Sequence, residues 1–142
     1  MNSKPATYLS LKNKVVFVLG GSSGIGADFV EAFAKQGSKV AFVGRNEQSA
    51  NELIEKLKDC SFKPKFYKCD ITNLKTLEMA IEDCIKSIGD IGVLLNNAAN
   101  DERHDFKDTT HEYFEWEYQT NLRPHVFAAK AVIDGMIRLG SG

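Results

Sequence analysis

The sequence is short of several things, and each shortage argues against a class of protein. No apolar stretch approaches the roughly 20 residues that cross a bilayer, so no membrane partner is expected. Cysteine is scarce. Cys60, Cys69 and Cys84 are odd in number and form no C-x-x-C pair, which argues against a zinc site or a disulfide framework and for a reducing compartment. Net charge is nearly absent: 18 basic and 19 acidic residues leave −1. That balance offers no electrostatic case for nucleic acid or an anionic surface. The opening MNSKPATYLSLKNK lacks the apolar core of a secretory leader, so a cytoplasmic protein is expected. Internal repeats, low-complexity tracts and linkers are also missing, which favours one domain.

What is present is an ordinary globular composition, 43% hydrophobic and 26% charged over 142 residues, long enough for a real core. Residues 15–19 (VVFVL) read as a strand buried on both faces. Residues 20–26 are a loop. Residues 27–36 carry apolar side chains at helical spacing, with Gly37 as the stop. Further strands are predicted over 40–43, 65–69 and 91–95, and further helices over 47–59 and 74–88. A last long helix is predicted from a Thr109 or Thr110 cap to about Arg138. Strands alternating with helices imply right-handed crossovers and a parallel sheet, an α/β fold.

The loop between the first strand and helix holds the strongest chemical signal. It reads Gly20-Gly21-Ser22-Ser23-Gly24-Ile25-Gly26. In a parallel α/β sheet this turn is where a dinucleotide binds. Glycine permits the positive φ of a tight turn, and a missing side chain lets a pyrophosphate reach the backbone. The helix that starts near Ile25 would offer free N–H groups and a positive dipole end. A merely flexible turn is the alternative. At the end of the second strand the chain reads FVGRNEQSA, with Arg45 where an NAD binder carries an acid. A guanidinium there pairs with a 2′-phosphate, so NADP is favoured, with NAD as runner-up. Arg45 as a solvated residue, or as a partner of Glu47, stays open.

The loop resembles the Thr-Gly-x-x-x-Gly-x-Gly motif of the short-chain dehydrogenase/reductase family, with Leu19 in place of the threonine. KCDITN, LLNNAAN and YQTNLRPHVFAAKAV match three further family segments in the right order. The resemblance implies a Rossmann-type doubly wound parallel sheet, seen through its fourth β-α unit. It implies that Gly20, Ser22, Ser23, Gly24, Ile25 and Gly26 hold the cofactor phosphates. Asp70 would accept from the adenine amino group, with Ile71 beside the ring. Asn97 and Ala98 would line the nicotinamide side, with Ala99 replacing the family's glycine. Asn121 would be the catalytic asparagine, its carbonyl exposed where Pro124 breaks the helical ladder. A plain proline kink and a turn-forming Asp70 are the alternatives.

NNAANDERHDF and TNLRPHVFAAKAV look more specifically like pentose or aldose 1-dehydrogenases, through Asn100, Asp101, Arg103, His104 and Arg123. The implied substrate is a small-molecule alcohol, carbonyl or sugar. No metal is expected, since Glu102, His104, Asp105 and His111 lack a recognised ligand spacing. Tyr113, Phe114, Trp116 and Tyr118 crowd the last helix, and the resemblance implies a homo-oligomer packed there in the full-length enzyme. The family's serine and Tyr-x-x-x-Lys fall beyond the asparagine helix; the Tyr8 and Lys12 pair precedes the first strand. The expectation is that residues 1–142 are the dinucleotide-binding part of a single Rossmann domain, inactive alone and aggregation-prone. A truncated nucleotide-binding module or a nonfunctional fragment remains the alternative.

Overall fold

The structure, a computed structural model, describes residues 6–142. Four strands form one parallel sheet: β1 (Val15–Leu19), β2 (Lys39–Gly44), β3 (Lys65–Lys68) and β4 (Val93–Asn96). Their order is β3-β2-β1-β4. The chain therefore steps outward from β1 through β2 to β3, then crosses back to place β4 on the other side of β1. The point where that direction reverses lies between β1 and β4. In open α/β sheets the crevice outside the carboxyl ends of the strands at such a point is where ligands bind.

Helices α1 (Gly24–Lys35), α2 (Glu47–Lys56) and α3 (Leu74–Ser87) connect the strands, and α4 (His111–Asn121) and α5 (Arg123–Leu139) follow β4. Every residue of β1 is buried, as a strand sandwiched between helical layers requires. Its side chains alternate. Val16 and Val18 join Val40, Phe42, Val30 and Leu53 beneath α1 and α2. Phe17 and Leu19 join Val43, Leu77, Ile81 and Val132 beneath α3 and α5. The fold is the doubly wound α/β arrangement. Among the described residues no helix is long and apolar enough to cross a membrane.

The helices start where side chains can cap them. Asn46, Asn73 and Thr110 each accept a backbone N–H in the first turn of α2, α3 and α4. The three cysteines are free. Burial pushes the Cys84 thiol up to about 12, which marks it as an inert core group.

Several boundaries depart from the sequence expectation. Helix α1 starts at Gly24, one residue before the start near Ile25 expected from the loop and three before the apolar period shows, because its first turn is built from glycines of low propensity. Helix α2 ends at Lys56 rather than 59. Strand β4 starts at Val93 rather than 91, although Ile91 is wholly buried. The single long last helix is two helices. They separate at Leu122, whose φ of −126° and ψ of −55° leave the helical basin. Pro124, in the first turn of α5, supplies no N–H for Thr120 O.

Phe42 is fully buried and tilts against Phe66 with ring centroids 5.3 Å apart. Phe42→Ala should lower the unfolding free energy by about 3–5 kcal/mol, read from the denaturant midpoint. A loss under about 1 kcal/mol would show that this layer repacks freely.

Candidate functional site

The glycine loop leaves β1 at Gly20 and enters α1 at Gly24. Both residues have positive φ, +78° and +53°, which a side chain would strain. Gly26 meets a different demand. A Cβ there would lie 1.9 Å from the Gly20 carbonyl oxygen, so only glycine lets the first turn of α1 pack on the loop. The loop is tied on two sides. The Gly20 and Gly21 N–H groups both donate to Val43 O at 3.0 Å, and the Asn97 side-chain amide donates to Gly20 O at 3.1 Å. Leu19 lacks the hydroxyl of the family's threonine, and the Asn97 amide anchors the loop.

The start of α1 differs from those of α2, α3 and α4. Ser23 stands at the N-cap in extended conformation, but its side chain makes no capping bond and the first turn carries no acid. The free N–H groups and the positive dipole end are thus left to an outside acceptor. Beside this end lies a cleft of about 470 Å³ at the carboxyl ends of the strands. Of the residues predicted to bind cofactor, Gly20, Ser23, Arg45, Asp70, Ile71, Asn97 and Ala98 line it. Gly24, Gly26, Ser22 and Ile25 do not; Gly24 and Gly26 shape the turn behind it, and Ile25 is 69% exposed.

Arg45 directly follows β2 and is exposed. Glu47, its alternative partner by sequence, pairs instead with Lys68 at 3.3 Å. Arg45 makes no ion pair among the described residues. Asp70 uses one oxygen: its Oδ1 accepts the Thr72 N–H at 3.0 Å and the Thr72 hydroxyl at 2.8 Å. Those two bonds hold its carboxyl below the usual carboxylate range. Asp70 therefore forms a turn, and the cap of α3 is Asn73.

Asn121 ends α4. Its side chain clamps the strand-end loop, with Oδ1 accepting the Asn100 N–H at 2.7 Å and Nδ2 donating to Asn100 O at 2.9 Å. Its backbone sits at the helix break, where the ladder resumes only with the Val126 N–H donating to Leu122 O. On the other side of the break, His125 Nε2 lies 2.8 Å from Ala98 O.

Of the residues singled out for sugar recognition, Asn100 lines the cleft and the others scatter. Asn100 Nδ2 donates to Glu117. His104 stacks on Tyr113 with ring centroids 3.8 Å apart. Asp101 and Arg103 are exposed. Arg123 reaches Thr72 O at 2.8 Å. Tyr8 and Lys12 lie before β1, where the Asn13 N–H donates to Gly37 O beyond the end of α1, far along the strands from the cleft. Trp116, Gln119 and Thr120 line the cleft, and sequence reasoning misses them. Their i, i+3, i+4 spacing on one helix face is a legible signal, masked when the aromatics are read as an interface.

Fold, switch point and glycine loop together define a doubly wound α/β protein with a cleft at the carboxyl ends of its strands. The chain belongs to the short chain dehydrogenase family, whose model matches residues 14–142. It is 39% identical over 137 residues to D-xylose 1-dehydrogenase of Caulobacter vibrioides, covering 96% of this chain and 54% of that one. It is 36% identical to a probable galactose dehydrogenase of Rhizobium meliloti, covering 100% and 56%. The chain thus spans about half the length of the curated relatives it matches. Among solved structures it superimposes on L-sorbose reductase of Gluconobacter frateurii complexed with NADPH and L-sorbose, with TM-score 0.86, 25% identity, and 92% and 50% coverage. A 2-keto-3-deoxy-D-gluconate dehydrogenase of Streptococcus agalactiae gives TM-score 0.80 at 28% identity, with 94% and 50% coverage.

Gly26→Ala tests the packing of the loop. Alanine is the better helix former, yet its methyl group meets a backbone carbonyl. The variant should lose about 1–3 kcal/mol of stability in equilibrium unfolding. A neutral or stabilised variant would show that Gly26 does not hold the loop against α1.

Proposed function

We propose that these residues supply the cofactor-binding part of an NADP-dependent short-chain dehydrogenase acting on a sugar or related small alcohol or carbonyl compound. The observation that carries this reading is the uncapped start of α1 beside a cleft into which Gly20, Arg45, Asp70 and Asn97 all open. The residues fit a dinucleotide. The α1 N-terminus takes the pyrophosphate with no carboxylate to repel it. Asp70 keeps one carboxylate oxygen, Oδ2, for the adenine amino group. Arg45, exposed and without an ion-pair partner among the described residues, takes the 2′-phosphate in preference to a ribose hydroxyl pair. Asn97 and Ala98 line the nicotinamide side.

The nicotinamide, when bound, supplies or accepts the hydride. The protein's own contribution is placement and proton handling. Asn121 holds the strand-end loop through its amide, and its carbonyl at the helix break is the acceptor for a relay water. The acid and base that act on the substrate hydroxyl are not Tyr8 and Lys12, which lie at the wrong end of the strands. The sugar specificity in the names of two relatives supports the substrate class, and the free cysteines support a reducing, cytoplasmic setting. Exposed apolar residues on α4 and α5, including Phe114, Val126 and Ile133, support self-association.

Arg45→Ala tests the cofactor assignment. Losing a charged hydrogen bond costs about 1.5–3 kcal/mol, so NADP affinity should fall about ten- to a hundredfold while NAD affinity stays nearly unchanged. Fluorescence titration with both reduced cofactors reads it. Equal weakening of both would remove Arg45 from 2′-phosphate recognition and turn the assignment toward NAD.

A further inference from the structure

Arg123 opens α5, one residue past the helix break. It is half-buried, and no carboxylate pairs with it among the described residues. Its Nη2 donates to the backbone carbonyl of Thr72, 51 residues away on the β3-α3 loop, at 2.8 Å. Its Nε is buried without a partner. A guanidinium N–H buried with no acceptor is costly. The side chain does not line the cleft, so direct contact with a ligand does not offset that cost.

The carbonyl it holds belongs to the residue that holds Asp70. Thr72 donates both its N–H and its hydroxyl to Asp70 Oδ1, and the Asn73 N–H donates back to Asp70 O at 3.0 Å. A continuous polar chain therefore runs from the guanidinium through Thr72 to the carboxylate. At its other end Arg123 lies two residues from Asn121, whose amide clamps Asn100. The junction of α4 and α5 is joined by the side chains of Asn121 and Arg123 to two separate strand-end loops, those after β4 and β3.

We infer that Arg123 is a positioning residue for the adenine end of the cleft: by fixing the Thr72 carbonyl it orients the Asp70 carboxylate toward the adenine amino group and keeps that loop in register with the helix break at Asn121. This rests on the dinucleotide reading of the cleft. The contribution of Arg123 is then confined to ligands that engage Asp70. A purely structural anchor would lower stability and weaken every dinucleotide alike.

The test compares NADPH with its hypoxanthine analogue, which carries a carbonyl in place of the adenine amino group, in titrations of protein carrying this sequence. The unsubstituted protein should prefer the adenine form, since its exocyclic amino group donates to Asp70 where hypoxanthine sets a carbonyl oxygen against the carboxylate. Arg123→Met should weaken the adenine form about three- to tenfold, leave the hypoxanthine form nearly unchanged, and so erase the preference. Arg123→Lys retains a single donor and should restore part of it. Lysine also keeps the charge and the stem, so it serves if the methionine variant does not fold. Thr72→Val, which removes the hydroxyl bond to Asp70, should reproduce the loss. An unsubstituted protein with no preference would overturn the role of Asp70 and this inference with it. A preference retained in Arg123→Met, or in Arg123→Lys at full strength alongside an unaltered Thr72→Val, would overturn the inference and leave the role of Asp70 standing.

Discussion

The candidate site depends on one backbone oxygen, the carbonyl of Gly20. It accepts the Asn97 amide from the end of β4, and the first turn of α1 lies so close to it that Gly26 cannot carry a side chain. The same residue's N–H is held by Val43 at the end of β2. Three neighbouring strands are thus pinned to one another at their carboxyl ends through a single turn. The cost is glycine at three positions where the chain would otherwise be stiffer. The turn leaves the α1 N-terminus aimed along the mouth of the cleft and uncovered by any capping side chain. Its orientation is set by the sheet, and its free N–H groups by what Ser23 does not do.

That arrangement explains why the residues of the cleft come from so many parts of the chain. A parallel sheet brings every strand out at one end, so the loops after β1, β2, β3 and β4 meet there although they are far apart in sequence. The interlocks among them are polar and specific rather than apolar. Asn97 joins β4 to the glycine loop, Asn121 joins the helix break to Asn100, His125 approaches Ala98, and Arg123 reaches Thr72. The two hydrophobic layers beneath supply stability but carry no information about the ligand. Several apolar side chains along α4 and α5, among them Phe114, Val126 and Ile133, remain exposed.

Much of this is legible in the residues. The VVFVL run, buried at every position, announces a strand covered on both faces. The period of Leu77, Ile81 and Cys84 announces α3. Gly20 and Gly24 stand where positive φ is required. Three things are less legible. The apolar period misses the first turn of α1 because glycine carries no periodic signal, and only the loop motif places the start near Ile25. The separation of α4 from α5 is underestimated because Pro124 reads as a kink within one helix, whereas Leu122 leaves the helical basin altogether. The partners of charged side chains are beyond reach, because pairing is decided by tertiary distance. Glu47 stands two residues from Arg45 yet pairs with Lys68, and Arg123, in a segment suggestive of substrate recognition, turns to a carbonyl on another loop.

The α1 N-terminus is the proposed seat of the pyrophosphate of a nicotinamide dinucleotide. A crystal structure of the protein with NADPH bound tests it most directly. Phosphate oxygens should lie within hydrogen-bonding distance of backbone N–H groups at the Ser23–Gly26 turn, with the 2′-phosphate against Arg45. A dinucleotide bound away from the start of α1, or with its pyrophosphate turned out to solvent, would contradict it.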